Sequence, residues 1–220
     1  MIEFKLRLKT ITLFTVGWGI SEVLGADVVH ARKLISGRYS YYVPGSTLKG
    51  VLRTEASRIA ELYGFSSCGE VEPGRIRLVH SRMGRVCDVC KLFGCPDESG
   101  IEGLSSVYVG DLNAIGNPKP IIMTRISLED ETLTAKEGAL YTMEHLPPGT
   151  EFEGIIKLRG RDLLPLLLLA IASLRTGRLG RRSIADIKII DDGALDGVID
   201  PKWGDLLREL RSWLWEGVIK

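Results

Sequence analysis

At 220 residues, 45% hydrophobic and 26% charged, the chain can bury a full core as one domain with insertions or at most two small ones. A formal net charge of +1 excludes overall charge as a grip on nucleic acid, so any such contact must come from local basic surface. No secretory leader pattern opens the sequence. The longest uncharged apolar run, Leu163 to Leu174, is too short to span a bilayer and contains Pro165, so a soluble cytoplasmic protein without membrane contact is expected. Gln is absent and the only Asn residues are Asn113 and Asn117. With abundant Arg, Leu and Glu, this depletion of labile amides fits a thermophile's protein.

Ile2 to Leu13 alternates apolar and polar, then slips phase at Lys9-Thr10, which predicts a long strand with a bulge or kink. Thr15 to Tyr42 reads as a long loop with Gly17, Gly19, Gly25 and Gly37, carrying Asp27, His30, Arg32 and Lys33. Tyr41-Tyr42-Val43 is extended before a Pro44-Gly45 turn, and a helix capped by Ser46 runs to Tyr63 with Leu48, Leu52, Ala56, Ile59 and Tyr63 at helical spacing. Residues 64–103 hold all four cysteines. Ser105 to Leu112 reads as a strand, and Asn113 to Gly149, rich in breakers, as a projecting loop or hairpin. A strand around Phe152, Ile156 and Leu158 precedes a buried helix, Leu163 to Arg175, capped by Asp162 with Pro165 in its first turn. A core strand from Ile184 to Ile190 follows. The tail from Trp203 to Val218 has an apolar stripe that predicts a docking helix. The order strand, helix, strand, strand, helix, strand predicts an α+β, ferredoxin-like (RRM-like, βαββαβ) core.

Chemistry concentrates in four places. The helix start at Ser46 offers unpaired N–H groups, and Lys49 and Arg53 add charge within two turns, a phosphate seat if it is not simply a capped helix with solvated cations. Cys68 and Cys87-x2-Cys90-x4-Cys95, with His80 between, read as a structural zinc site in which Cys68 and His80 compete for the fourth place; reduced buried cysteines or a disulfide are the alternatives. Arg175, Arg178, Arg181 and Arg182 around Gly177 and Gly180 suggest an anion-binding loop, against a solvated basic turn. Asp27 beside His30, Arg32 and Lys33 could hold a metal ion or a catalytic water, although most loop Asp residues cap a turn.

Val43-Pro44-Gly45-Ser46-Thr47-Leu48-Lys49-Gly50-Val51-Leu52-Arg53 closely resembles the signature of the RAMP superfamily, the repeat-associated RNA-binding proteins of CRISPR interference complexes. Cys87-Asp88-Val89-Cys90-Lys91-Leu92-Phe93-Gly94 resembles a motif of the backbone subunits of type III complexes. Thr134 to Glu144, with Pro148-Gly149-Thr150 after it, is similar to the thumb-to-strand segment of that subunit. The resemblance implies a single hand-shaped domain: a palm from residues 1–14, 46–63, 105–112 and 150–190, a loop insertion 15–44, a zinc-bearing finger 64–104, a thumb 113–149 and a C-terminal helix 203–218. It further implies a guide (crRNA)-binding subunit that stacks head to tail with itself and beside other subunits of the complex. Ser46, Lys49 and Arg53 would contact guide phosphates, with Arg178, Arg181 and Arg182 adding to them. Asp27 matches a family aspartate that cuts target RNA with Mg²⁺ (or Mn²⁺), and Arg32 would steady the phosphate. The metal ligands would be Cys68, Cys87, Cys90 and Cys95, with His80 as the alternative fourth.

The sequence departs from the family pattern in its glycine-rich loop, where only Gly177, Gly180 and Ser183 fit, and after the first strand, where Thr12 to Gly19 keeps little of the usual motif. A non-catalytic structural paralogue of the same complex is therefore a second expectation, and an unrelated zinc-binding module with no RNA role a third.

Overall fold

The computed structural model describes residues 1–17, 26–35, 37–95, 104–126, 140–191 and 195–216. Gly19, Gly25, Thr134 to Ala139 and Val218, used in the sequence reading, lie outside them. The strands are β1 (Ile2–Thr10), β2 (Arg32–Ile35), β3 (Arg38–Val43), β4 (Val107–Val109), β5 (Leu112–Ala114), β6 (Ile121–Arg125), β7 (Tyr141–His145), β8 (Glu151–Leu158) and β9 (Ala185–Asp191). The helices are α1 (Gly45–Ile59), α2 (Pro73–Met83), α3 (Asp88–Phe93), α4 (Leu164–Leu174) and α5 (Gly204–Leu210).

β1 is central because both its edges are filled. It pairs antiparallel with β8, from Ile2 opposite Leu158 to Lys9 opposite Glu151, and antiparallel with β9 on the other side. The sheet continues as β2-β3-β5-β8-β1-β9, and β4 pairs with β8 ahead of β5. The expected strand over Ser105 to Leu112 is thus two short strands separated at Gly110-Asp111, with the Gly110 N–H donating to Ile155 O at 2.9 Å. Ile2, Phe4, Leu6, Leu8 and Thr10 point inward and the residues between them outward. The phase does not slip at Thr10: its side chain stays inward by donating to Pro147 O at 2.9 Å, and the strand ends there. The irregularity lies at Lys5/Leu6, on the β9 side.

Helices α1 and α4 pack on each other over the inward face. Leu48 and Leu52 of α1 are completely buried, each stabilising the fold by about 1.5–3 kcal/mol. α4 is apolar nearly all round and is buried accordingly, starting at Leu163 without the expected Asp162 cap. The outward face carries a lattice of ion pairs, Lys157–Glu3 at 2.9 Å, Arg7–Glu153 at 3.0 Å and Lys5–Asp191 at 3.6 Å.

One stretch read as a loop is ordered: Arg32–Ile35 and Arg38–Val43 form the β2–β3 hairpin. The cysteine-rich segment contains α2 and α3. The tail departs the other way: α5 ends at Leu210, and the chain then turns to bring Trp213 over Lys188 Nζ, 4.6 Å from the ring centroid. It is held by the buried Arg175–Asp186 pair, 2.9 Å apart. Arg175 also donates to Glu209 O and Ser212 O, and Asp186 accepts from Trp215 N. Among the described residues no helix is long and apolar enough to cross a membrane.

Candidate functional site

Helix α1 begins as its sequence dictates but not with the expected cap. Pro44 is the N-cap residue, its carbonyl accepting from Thr47 N and Leu48 N, and Ser46 sits exposed in the first turn without capping. Gly45 is required by packing, since a Cβ there would run into the carbonyl oxygens of Val109 and Gly110. The Gly45 N–H is already taken by Asp111 Oδ1 at 2.9 Å, and Asp111 Oδ2 pairs with Lys33 at 2.8 Å. An acid therefore stands where an anion would approach the helix end. Lys49, half-buried, forms no ion pair among the described residues. Burial first, and then the charge of Arg53, hold its pKa below the usual lysine value.

Arg53, one turn on, faces inward. Its guanidinium donates to Gly94 O at 2.6 Å and to Cys90 Sγ at 3.2 Å. The sulfur belongs to a cluster of Cys68, His80, Cys87 and Cys90 whose ligand atoms all lie within 4.8 Å of one another. Cys87 caps α3, its Sγ accepting from Cys90 N at 3.4 Å, so the two-residue spacing puts both sulfurs on one side of the first turn. Ser66 N and Oγ donate to Asp88 Oδ2, both at 2.8 Å, and bring Cys68 alongside. Ile76 and His80, one turn apart on α2, form its buried face. Cys68 Sγ and Cys90 Sγ are 3.7 Å apart, close to the roughly 3.8 Å edge of a tetrahedron with metal–sulfur bonds of about 2.3 Å. Both Cys68 and His80 join the group, while Cys95, buried just past Gly94, is not among the converging four. A bond from Cys90 drives the Cys87 thiol down, whereas the bond to Cys87 together with burial drives Cys90 up.

The arginine loop divides. Arg175 is locked in its buried pair and cannot serve an anion. Arg178, Arg181 and Arg182 are exposed and form no ion pair among the described residues. Arg178 lies over the α1 flank formed by Val51, Thr54 and Arg58, opposite the flank of Lys49 and Arg53. The loop presses on the segment after β1: Arg181 N donates to Thr15 O and Ser183 Oγ to Leu13 O, both at 2.9 Å. Gly180 has a φ of +77° and no room for a Cβ against Thr15 O.

Arg181 and Arg182 share a cleft of about 590 Å³ with Arg125, Tyr141 and His145 from the β6–β7 hairpin. Sequence reasoning missed those three, which meet only through cross-strand pairing. Thr15 Oγ1 donates its one proton to Glu144 O at 2.7 Å and so accepts from His145 Nδ1, also at 2.7 Å. That leaves His145 Nε2 as an acceptor 3.4 Å from Arg125 Nη2. Burial first, then the Arg125 charge, holds the His145 pKa below the usual imidazole value.

Asp27 is exposed, and its Oδ2 accepts from Thr142 N at 2.7 Å and Thr142 Oγ1 at 2.9 Å. Those bonds, the backbone one first, hold its pKa below the carboxylate norm. His30 is not beside it on the surface. It is fully buried against Phe14, Phe152 and Tyr41, its backbone N–H bound to Glu144 Oε2 at 2.8 Å. Arg32 lies over the Tyr39 ring at 5.9 Å. Among the described residues no group of three or more acidic, histidine or cysteine ligands includes Asp27.

The family model described as the RAMP superfamily matches residues 7–184. A chain of a solved structure titled "Type IV-B CRISPR Complex" superposes with a TM-score of 0.59 at 17% identity, over 96% of this chain and 100% of that one, a likeness of fold. No curated protein sequence matches this chain.

Proposed function

The chain belongs to the RAMP superfamily, and on that premise we propose that it is a guide-RNA-binding backbone subunit of a CRISPR ribonucleoprotein interference complex. One observation carries the reading: among the described residues Lys49, at the start of the helix that the family motif opens, and Arg178, Arg181 and Arg182 of the arginine loop form no ion pair. Such cations read phosphates and not bases. The strand order β9-β1-β8-β5, with α1 and α4 over one face, supports a ferredoxin-like palm. The Cys68, His80, Cys87 and Cys90 cluster supports a structural zinc ion in the finger, closed to chemistry by its four protein ligands. The β6–β7 hairpin, lying within residues 113–149, supports the reading of that insertion as a thumb. Type III membership and head-to-tail stacking rest on the Cys87–Gly94 and Thr134–Glu144 resemblances. The likeness to a chain of a multi-subunit CRISPR complex agrees with neighbouring subunits as partners.

Target cleavage is a second reading, supported by the exposed and readily ionised Asp27. In such a step the target's 2′-oxygen attacks the adjacent phosphorus and the 5′-oxygen leaves with a proton, giving a cyclic phosphate and a 5′-hydroxyl. Because bonds to Thr142 weaken Asp27 as a base, its free Oδ1 would orient the 2′-hydroxyl and not deprotonate it. Among the described residues, those around Asp27 do not make a Mg²⁺ site by themselves, so no step is assigned to that ion. Mapping target cuts in a reconstituted complex tests both readings. Guide-dependent assembly with periodic cuts lost in Asp27→Ala supports cleavage here, cuts that persist assign it elsewhere, and failure to hold guide RNA removes the proposal.

A further inference from the structure

Arg53 stands where the family motif places a phosphate-binding arginine, yet its half-buried guanidinium is engaged by the finger. It spans two acceptors of the finger, Gly94 O at 2.6 Å and Cys90 Sγ at 3.2 Å. Cys87 and Cys90 are completely buried, and His80 nearly so. Three thiolates and one neutral imidazole around a divalent ion carry one net negative charge, which is expensive to bury without a counter-charge. Among the described residues, Arg53 is the arginine hydrogen-bonded to a sulfur of this cluster, and it supplies one positive charge. Its planar fork suits the task better than a lysine, because one N–H reaches the thiolate while another fixes the carbonyl that ends α3.

We propose that Arg53 is a positioning residue of the metal centre and not an RNA ligand: it neutralises the Cys68–His80–Cys87–Cys90 site and fastens helix α1 to the finger. This rests on the reading of the cluster as a divalent-metal site. The consequence is directional. Metal loading holds α1, and with it Lys49 one turn earlier, against the finger, so the phosphate grip of Lys49 depends on a filled site while Arg53 takes no phosphate. Outer partners of this kind orient the inner ligands of a metal and set its affinity.

The test uses the full chain and its Arg53→Met, Arg53→Lys and Lys49→Ala variants, with Zn²⁺ affinity read by competition against a chromophoric chelator. Cobalt is the spectroscopic stand-in, and circular dichroism checks folding. Arg53→Met should bind Zn²⁺ about 10- to 100-fold more weakly. Its thiolate-to-cobalt charge-transfer band should move to lower energy, because a thiolate stripped of an N–H donor is more easily oxidised. At saturating Zn²⁺ its RNA-binding salt dependence should match wild type, whereas that of Lys49→Ala should be shallower. Should Arg53→Met not fold, Arg53→Lys carries the comparison, with a several-fold loss of affinity expected. Wild-type Zn²⁺ affinity and an unshifted cobalt band in whichever variant folds would overturn the proposal, as would a shallower RNA salt dependence in an Arg53 variant at saturating Zn²⁺. A wild-type chain that binds neither ion overturns the metal reading itself, and the role of Arg53 with it.

Discussion

Replacing Arg181 and Arg182 together by alanine should weaken guide-RNA binding in a way that salt reveals. Each cation that neutralises one phosphate of a single strand adds about −0.7 to the slope of log affinity against log salt. Lys49, Arg178, Arg181 and Arg182, free of carboxylate partners among the described residues, would together contribute about −2.8, or about a 50-fold loss of affinity between 50 and 200 mM salt. The double variant should lose about 1.4 of that slope, leaving these residues about a 7-fold dependence over the same range. Fluorescence anisotropy with a labelled guide strand, titrated at several salt concentrations, reads the slope directly. Two guides of unrelated sequence should lose equally, since phosphates carry no base code. A slope that stays at the wild-type value, or a loss confined to one guide, would refute the assignment of these arginines to the backbone.

Removing His30 should flatten the acid limb of the stability curve. Its pKa falls from 6.5 to about 4, first through burial, so the unfolded chain takes up a proton that the folded chain refuses. Stability is whole above pH 6.5 and declines by up to about 3 kcal/mol as pH drops to about 4. His30→Phe, an aromatic among Phe14, Phe152 and Tyr41, should remove that contribution in denaturant titrations at graded pH. Asp186→Asn should destabilise the fold by about 3–5 kcal/mol, because it leaves the buried Arg175 charge unpaired. The loss reads out as a lower Tm with a change in Trp215 fluorescence, since Trp215 N is bound to Asp186 Oδ2 at 2.9 Å and its indole to Arg175 O.

Much of the core was legible because periodicity reports burial directly. The alternation from Ile2 to Leu8 and the apolar run of α4 could satisfy their backbones and hide their side chains in few other ways. The β2–β3 hairpin was not. Arg38-Tyr39-Ser40-Tyr41-Tyr42 is half-exposed, and its pairing partners are Arg32 to Ile35 and, across a long gap, Asn113 and Leu112. The tail helix was read too long, since its stripe continues past Leu210 although the chain turns to meet the Arg175–Asp186 pair. Ser46 was read as the cap because its side chain suits that position, but the helix starts two residues earlier at Pro44.

By itself, the sequence determined the order of the core elements, the inward faces of β1, β8 and α4, and the residue types that could bind metal and phosphate. Those properties follow from spacing along one chain. Which of these residues are available was decided only by tertiary structure, because availability depends on what stands opposite. Arg175 meets Asp186, Arg53 meets Cys90, the helix end at Gly45 meets Asp111, and His30 is enclosed by rings. Among the described residues, Lys49, Arg181 and Arg182 form no ion pair. Charge is written in the sequence; whether it has already been neutralised is written in the fold.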